Sequence, residues 1–180
     1  MSDSLALALQ NSEQLFDRTE IEQAVARIAA EIASDYDDGE RPVYLTIMHG
    51  GMLFASQLAL ELGIDLEFDY LHATRYRGAT SGSGLAWLHR PATPLKGRRV
   101  LLADDILDEG HTLKAVSDWC QDQGAADVRI AVLCVKDHDR CVEGVAADYI
   151  ALEVPDRYVY GYGMDYHEQG RNLPGLYALK

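Results

Sequence analysis

The chain has 180 residues, 48% hydrophobic and 25% charged, the composition of a folded domain, which excludes disorder as its general state. At roughly 150 residues per domain, this length predicts a single domain, residues 1–180, that buries about 70% of its unfolded surface. Sixteen Lys and Arg against 29 Asp and Glu leave a net charge of −13, a field that repels polyanions, so neither nucleic acid nor an anionic membrane is a predicted partner.

The stretch MSDSLALALQNSEQ has no basic segment and no apolar run long enough for a leader or a membrane span, and reads as a mature cytosolic terminus. Thr19-Glu20-Ile21-Glu22 has the pattern of a capping box, and Ile21, Val25, Ile28 and Ile32 follow at helical spacing. This predicts a helix to about Tyr36 within an N-terminal helical segment, residues 1–40. Residues 43–48 (VYLTIM) form an apolar, β-rich run of strand length. His49-Gly50-Gly51 then makes a tight turn into a helix that ends at Gly63. A second strand is predicted over 66–72. Residues 75–84 (RYRGATSGSG) lack apolar periodicity and read as a long flexible loop, with a strand returning at 85–88.

Residues 100–103 (VLLA) are a strand of the buried type and run into Asp104-Asp105-Ile106-Leu107-Asp108-Glu109-Gly110-His111-Thr112. A helix over 113–123 closes at Gly124, and 128–135 (VRIAVLCV) is a further buried strand. Strand, helix and strand in this order predict an α/β core over 43–145, a parallel sheet covered by helices. In residues 146–180, Tyr149, Tyr158, Tyr160, Tyr162 and Tyr166 crowd around Gly161 and Gly163, which suggests short irregular strands over a site. Cys120, Cys134 and Cys141 are odd in number and have no CxxC spacing, which favours a reducing cytoplasm. The six His lack the spacing that sets two imidazoles on one helix face, so zinc is not predicted.

Asp104, Asp105 and Asp108 fall where a parallel strand gives way to a helix, and ligands of open α/β sheets bind at such carboxyl ends. Free backbone N–H groups near Thr112, the close approach allowed by Gly110 and the Thr112 hydroxyl would make a phosphate cradle. The carboxylates beside it suit a sugar diol, Mg²⁺ or a general base; the same residues also suit a plain Asp-rich helix cap. No GxxxxGK[ST] is present, and the near match to GxGxxG that starts at Gly161 lacks its third glycine.

VLLADDILDEGHTL resembles the phosphoribosyl-diphosphate-binding motif of the type I phosphoribosyltransferases. VKDHDR, followed by ADYIALEVPDRYVYGYGMDYHEQGRNLPGLYAL, is similar to the purine end of the hypoxanthine-guanine phosphoribosyltransferases. The resemblance spans about residues 43–180. It implies the type I phosphoribosyltransferase fold, a central mostly parallel sheet flanked by helices, with a small irregular hood and a flexible active-site loop. The activity it implies is Mg²⁺-dependent condensation of phosphoribosyl diphosphate with a 6-oxopurine, hypoxanthine or guanine, by a homodimer or homotetramer in the cytoplasm.

Carried over position by position, Asp104 and Asp105 would hold the ribose hydroxyls and contribute to the metal site. Asp108, Glu109, Gly110, His111 and Thr112 would wrap the 5′-phosphate, with Asp108 also facing purine N7 as the proton acceptor. Lys136 would donate to the 6-oxo group, Tyr158 would stack on the base, and the Val159 backbone would read the purine edge. Asp165 would bind Mg²⁺ at the purine end. Arg171, His49, Gly50 and Gly51 would meet the pyrophosphate, and Arg75 and Tyr76 would belong to the closing loop. Glu109 stands where the family more often has Thr. Two like charges at 4 Å repel by about 1 kcal/mol in water and about 4 kcal/mol at a partly buried site, so its side chain is predicted to face solvent. His49 replaces the commoner Lys, Arg75-Tyr76 the usual Ser-Tyr, and Asp104 the commoner Glu, which keeps the carboxylate and shortens its reach. Two other readings share the motifs: a xanthine-preferring transferase, and a phosphoribosyl-diphosphate-sensing RNA-binding regulator that resembles the pyrimidine attenuation proteins. The net charge of −13 and the intact Lys136 argue against the second.

Overall fold

The computed structural model describes residues 4–75 and 85–180. In chain order the elements are α1 (Leu5–Gln10), β1 (Ser12–Phe16), α2 (Arg18–Asp35), β2 (Val43–Met48), α3 (Met52–Leu62), β3 (Glu67–Arg75), β4 (Leu85–His89), β5 (Arg99–Leu107), α4 (His111–Asp122), β6 (Asp127–Asp137), β7 (Tyr149–Pro155), β8 (Val159–Tyr160) and β9 (Leu176–Leu179). Six strands form one sheet in the order β4-β3-β2-β5-β6-β7, parallel except for the β3–β4 pair. A second sheet, β1-β9-β8, is antiparallel and forms the hood.

The apolar runs of β2, β5 and β6 are continuous because both faces of the sheet are buried. Tyr44, Leu101, Ala103, Ala131 and Leu133 face one apolar cluster with Ile21, Val25, Ile28 and Ile32 of α2 and Phe54 and Leu58 of α3. The alternate residues Val43, Leu45, Val100, Leu102, Ile130 and Val132 face another with Leu113, Val116 and Cys120 of α4. Burying each such side chain is worth about 1.5–3 kcal/mol, so the period-2 alternation within each run fixes the strand register. Met164, Leu176 and Ala178 of the C-terminal segment join the first cluster and tie the hood to the sheet.

Three differences from the sequence expectation bear on the site. The capping box of α2 is built by Asp17, not Thr19: Asp17 Oδ1 accepts from Glu20 N at 2.9 Å, and Glu20 Oε2 accepts from Asp17 N at 2.8 Å. Glu22 is instead bound to Arg18. Residues 1–40 are not helical throughout, since β1 pairs antiparallel with β9, Ser12 opposite Leu179. β5 does not stop at Ala103 but runs on through Leu107, because β6 keeps pairing with it, Asp104 opposite Val132 and Leu107 opposite Val135. On its other side, pairing with β2 ends at Thr46–Ala103. Beyond that point β5 is laddered on one edge only, and the opening beside it is where the acidic residues lie.

Candidate active site

The opening at the end of β5 is a cavity of about 540 Å³. Among the predicted residues, His49, Gly50, Asp104, Asp105, Asp108, Glu109, Gly110, His111, Thr112 and Arg171 line it. Gly51 does not. It starts α3 below the loop, donates its N–H to Ile47 O at 3.0 Å, and is packed so closely that a Cβ there would sit 2.8 Å from the carbonyls of Ala103 and Ile47. A second cavity of about 250 Å³ adjoins the first and is lined by Lys136, Tyr158, Val159 and Asp165, together with Asp105, Ile106 and Asp108, which also line the first. Arg75 is the last residue of β3, and its side chain, like all of Tyr76 and the predicted loop to Gly84, lies outside the described residues.

Gly110 precedes α4 with φ +79°, a left-handed conformation that glycine adopts without cost, and no side chain caps the helix. His111, Thr112 and Leu113, the first residues of α4, line the cavity, and the free N–H groups of a helix start are able to hold an anion there. Glu109, half exposed at the cavity wall, lies 3.5 Å from His111 Nε2 through its carboxylate. Asp104 is only 8% exposed. Burial first, and then the charge of Asp105, push its carboxyl well above the ordinary range; burial raises Asp105 as well. Two carboxylates raised in this way, with few donors of their own beyond backbone N–H groups, are a site for hydroxyl donors or a cation.

Asp108 joins the two cavities. Its Oδ2 accepts from Lys136 Nζ at 2.6 Å, and its Oδ1 lies 2.7 Å from His138 Nε2. Burial alone would raise this carboxyl, but the hydrogen bonds from Lys136 and His138 outweigh it and hold Asp108 below the usual carboxylate range. At the hood, Arg171 donates to Gly163 O at 2.9 Å and pairs with Asp165 at 2.8 Å and with Glu168 at 3.2 Å. Asp165 Oδ2 also accepts from Glu168 N at 2.9 Å, and Tyr158, 46% exposed, donates to the Asp165 carbonyl at 3.2 Å. Among the described residues, no three His, Cys, Asp or Glu side chains converge on one metal position, so Asp165 is not gathered with Asp104 and Asp105 into one cluster.

Two histidines lie at the site without having been singled out in the sequence. His72 on β3 lines the larger cavity, with its ring centroid 4.3 Å from that of His49, because β2 and β3 pair Met48 with His72. Its approach to the loop has no signal in sequence spacing. His138 comes to Asp108 by the tight turn just past β6, in which its N–H donates to Lys136 O at 3.1 Å, and its only sequence signal is its closeness to Lys136.

The acidic end of a central parallel strand, a helix N-terminus beside it and a small second sheet above define the class of the molecule: an α/β phosphoribosyltransferase fold. The phosphoribosyl transferase domain family model matches residues 11–167. The chain is 36% identical over 167 residues to a hypoxanthine-guanine phosphoribosyltransferase of Streptococcus pneumoniae, covering 92% of each chain. It is 32% identical over 166 residues to a hypoxanthine-guanine-xanthine phosphoribosyltransferase of Tritrichomonas foetus, covering 92% of this chain and 90% of that one. Its structure matches a Staphylococcus aureus hypoxanthine phosphoribosyltransferase with a TM-score of 0.88 at 27% identity, over 100% of this chain and 97% of that one. A Trypanosoma cruzi hypoxanthine phosphoribosyltransferase in complex with the product IMP matches with a TM-score of 0.86, also at 27% identity, over 93% of each chain. The chain belongs to the hypoxanthine-guanine phosphoribosyltransferase family, and it is a transferase enzyme.

Proposed function

We propose that the chain serves purine salvage, transferring the 5-phosphoribosyl group of phosphoribosyl diphosphate to N9 of hypoxanthine or guanine with release of IMP or GMP and pyrophosphate. The observation that carries this is Asp108, a single carboxylate shared by an acid-lined cavity at a helix N-terminus and a smaller one walled by Lys136, Tyr158 and Val159. A sugar phosphate in the first and a planar base in the second would meet at that carboxylate.

Asp104 and Asp105 take the ribose hydroxyls, which supply donors to one buried and one partly buried carboxylate. The backbone of residues 108–112 binds the 5′-phosphate. His49, Gly50 and Arg171 face the pyrophosphate, backed by Gly51. As N9 bonds to C1′ and the C1′–O bond to pyrophosphate breaks, the N7 proton of the base passes to Asp108. Positive character at C1′ is favoured by the carboxylates around it. Lys136 donates to the 6-oxo oxygen, Tyr158 stacks on the base, and the Val159 backbone meets its edge. Bound Mg²⁺ would neutralise the departing pyrophosphate, held by Asp165 or by Asp104 and Asp105. One or two carboxylates with substrate oxygens and water are the usual donor set for this ion and fit the residues present. A reducing cytoplasm suits the three free cysteines, and among the described residues no helix is long and apolar enough to cross a membrane.

The test is pyrophosphate release from phosphoribosyl diphosphate with hypoxanthine, guanine, xanthine or adenine in turn, with Mg²⁺ and again with excess chelator. Release is expected with hypoxanthine and guanine, and negligible release with chelator. None is expected with adenine, whose 6-amino group offers Lys136 a donor in place of an acceptor. Faster release with xanthine than with guanine would reassign the base, and no release with any base would overturn the function.

A further inference from the structure

We infer that His138 is a positioning residue for Asp108, holding one carboxylate oxygen so that the other is the one presented to the base. This rests on the reading above, in which Asp108 receives the purine proton.

The geometry is directional. His138 Nδ1 lies 3.1 Å from the backbone N–H of Arg140, a group that can only donate, so Nδ1 is the acceptor and the ring hydrogen is on Nε2. That hydrogen points at Asp108 Oδ1, 2.7 Å away. The turn that supplies the Arg140 N–H is itself fixed, because the Arg140 guanidinium grips both oxygens of Asp156 at 2.8 and 2.7 Å. A chain of contacts thus runs from the end of β7 through Arg140 and His138 to the carboxylate. The His138 side chain is 3% exposed, against 40% for Asp108: the orienting group is buried and the oriented group faces the cavities.

Lys136 alone could not serve this purpose. It holds Oδ2 at 2.6 Å, but it is also the cation that a 6-oxo group would claim. When the base draws the ammonium away, Oδ2 loses its donor as the N7–H arrives. Without His138 the carboxylate could then turn about χ2 and offer either oxygen. With Oδ1 held, N9–C1′ bond formation, C1′–O cleavage and transfer of the N7 proton to Oδ2 proceed against a fixed acceptor. His138 gives up no proton in the step.

The experiment compares His138→Ala and His138→Gln in single-turnover nucleotide formation from hypoxanthine and phosphoribosyl diphosphate with Mg²⁺. His138→Ala is expected to slow the step about 10- to 100-fold, the worth of one hydrogen bond to a charged group, with an unchanged KM for phosphoribosyl diphosphate. Its acid limb should move to higher pH, since the ionised carboxylate has lost a donor. Lys136, Arg140, Asp156 and Glu109, the other charged groups around the ring, are the same in both variants. His138→Gln, whose amide can donate to Oδ1, should recover most of the rate and restore the acid limb. In an Asp108→Asn background, His138→Ala should add no further loss. A wild-type rate in His138→Ala, or a loss of the same size in the Asp108→Asn background, would overturn the role of His138. If Asp108→Asn is slow while His138→Ala is normal, this inference falls and the reading of Asp108 stands. A wild-type rate in Asp108→Asn would overturn both.

Discussion

Gly163 lies so close over Gly50 that a Cβ on Gly163 would fall 2.0 Å from the Gly50 carbonyl oxygen. A Cβ on Gly50 would in turn fall 1.8 Å from Asp105 Oδ2. The turn after β2 is thus clamped between the acidic strand end and the hood, with no room for a side chain on either contact.

Gly50→Ala should displace the Asp105 carboxylate or lift the hood, with a large rise in KM for phosphoribosyl diphosphate and a lower melting temperature. Gly163 also has φ +109°, so Gly163→Ala adds backbone strain of about 1–3 kcal/mol. Steady-state kinetics and thermal melts read both effects. Unchanged KM and melting temperature in Gly50→Ala would show that the turn accepts a side chain there without disturbing the site.

Asp108→Asn keeps the size of the side chain and removes the carboxylate proposed to accept the N7 proton. Turnover should fall about 10²- to 10⁴-fold, the range of general base catalysis, while phosphoribosyl diphosphate still binds. Calorimetric titration beside a rate assay separates the two.

Asp104→Asn should trade activity for stability. The Asp104 and Asp105 carboxyls are raised above their ordinary value of 3.8, first by burial. Between the unfolded and folded values the folded chain binds more protons, so stability is lost as pH rises through that window. Asparagine retains an oxygen for the Asp105 N–H, which now bonds to Asp104 Oδ1 at 2.9 Å. The variant should melt higher than wild type near neutral pH, by about 2–4 °C per kcal/mol gained, and the gain should vanish below the unfolded carboxylate range. A melting temperature unchanged at every pH would count against the burial cost.

Lys136→Met should raise KM for hypoxanthine and leave KM for phosphoribosyl diphosphate little changed. It also removes a donor from Asp108, whose lowered carboxyl contributes stability above the unfolded value of 3.8 and loses it as pH falls through the folded one. In Lys136→Met that contribution shrinks, so the variant should melt below wild type near neutral pH and the gap should close as pH falls through the folded value, as melts across pH would show.

Local signals made the centre of the molecule legible. Strand β2 follows a nearly all apolar, β-rich run from Val43 to Met48, and α3 ends before Gly63, whose φ of +66° marks the stop. Residues 104–112 and Lys136 were legible because the strand end and helix start that hold them are contiguous or nearly so in sequence. Strand β1 was not, since Ser12 and Phe16 become a strand only by pairing with Leu179 and Leu176, far along the chain. α1, six residues long, is too short to show a helical period. The extent of β5 was hidden by its own aspartates, whose polarity reads as a turn although β6 carries the ladder past them. His72 was illegible because only sheet register brings it to His49.

The order β1-β9-β8 makes the last strand the middle one of the hood. A chain leaving the ribosome N-terminus first completes β5, α4 and β6 while β1 and β8 have no strand to lie against. The acidic half of the site can be assembled on the nascent chain, but the wall that begins at Tyr158 and Val159 waits for residues 176–179. The two halves of the site therefore depend on segments synthesised at different times, and the hood sheet is complete only when β9 lies between β1 and β8.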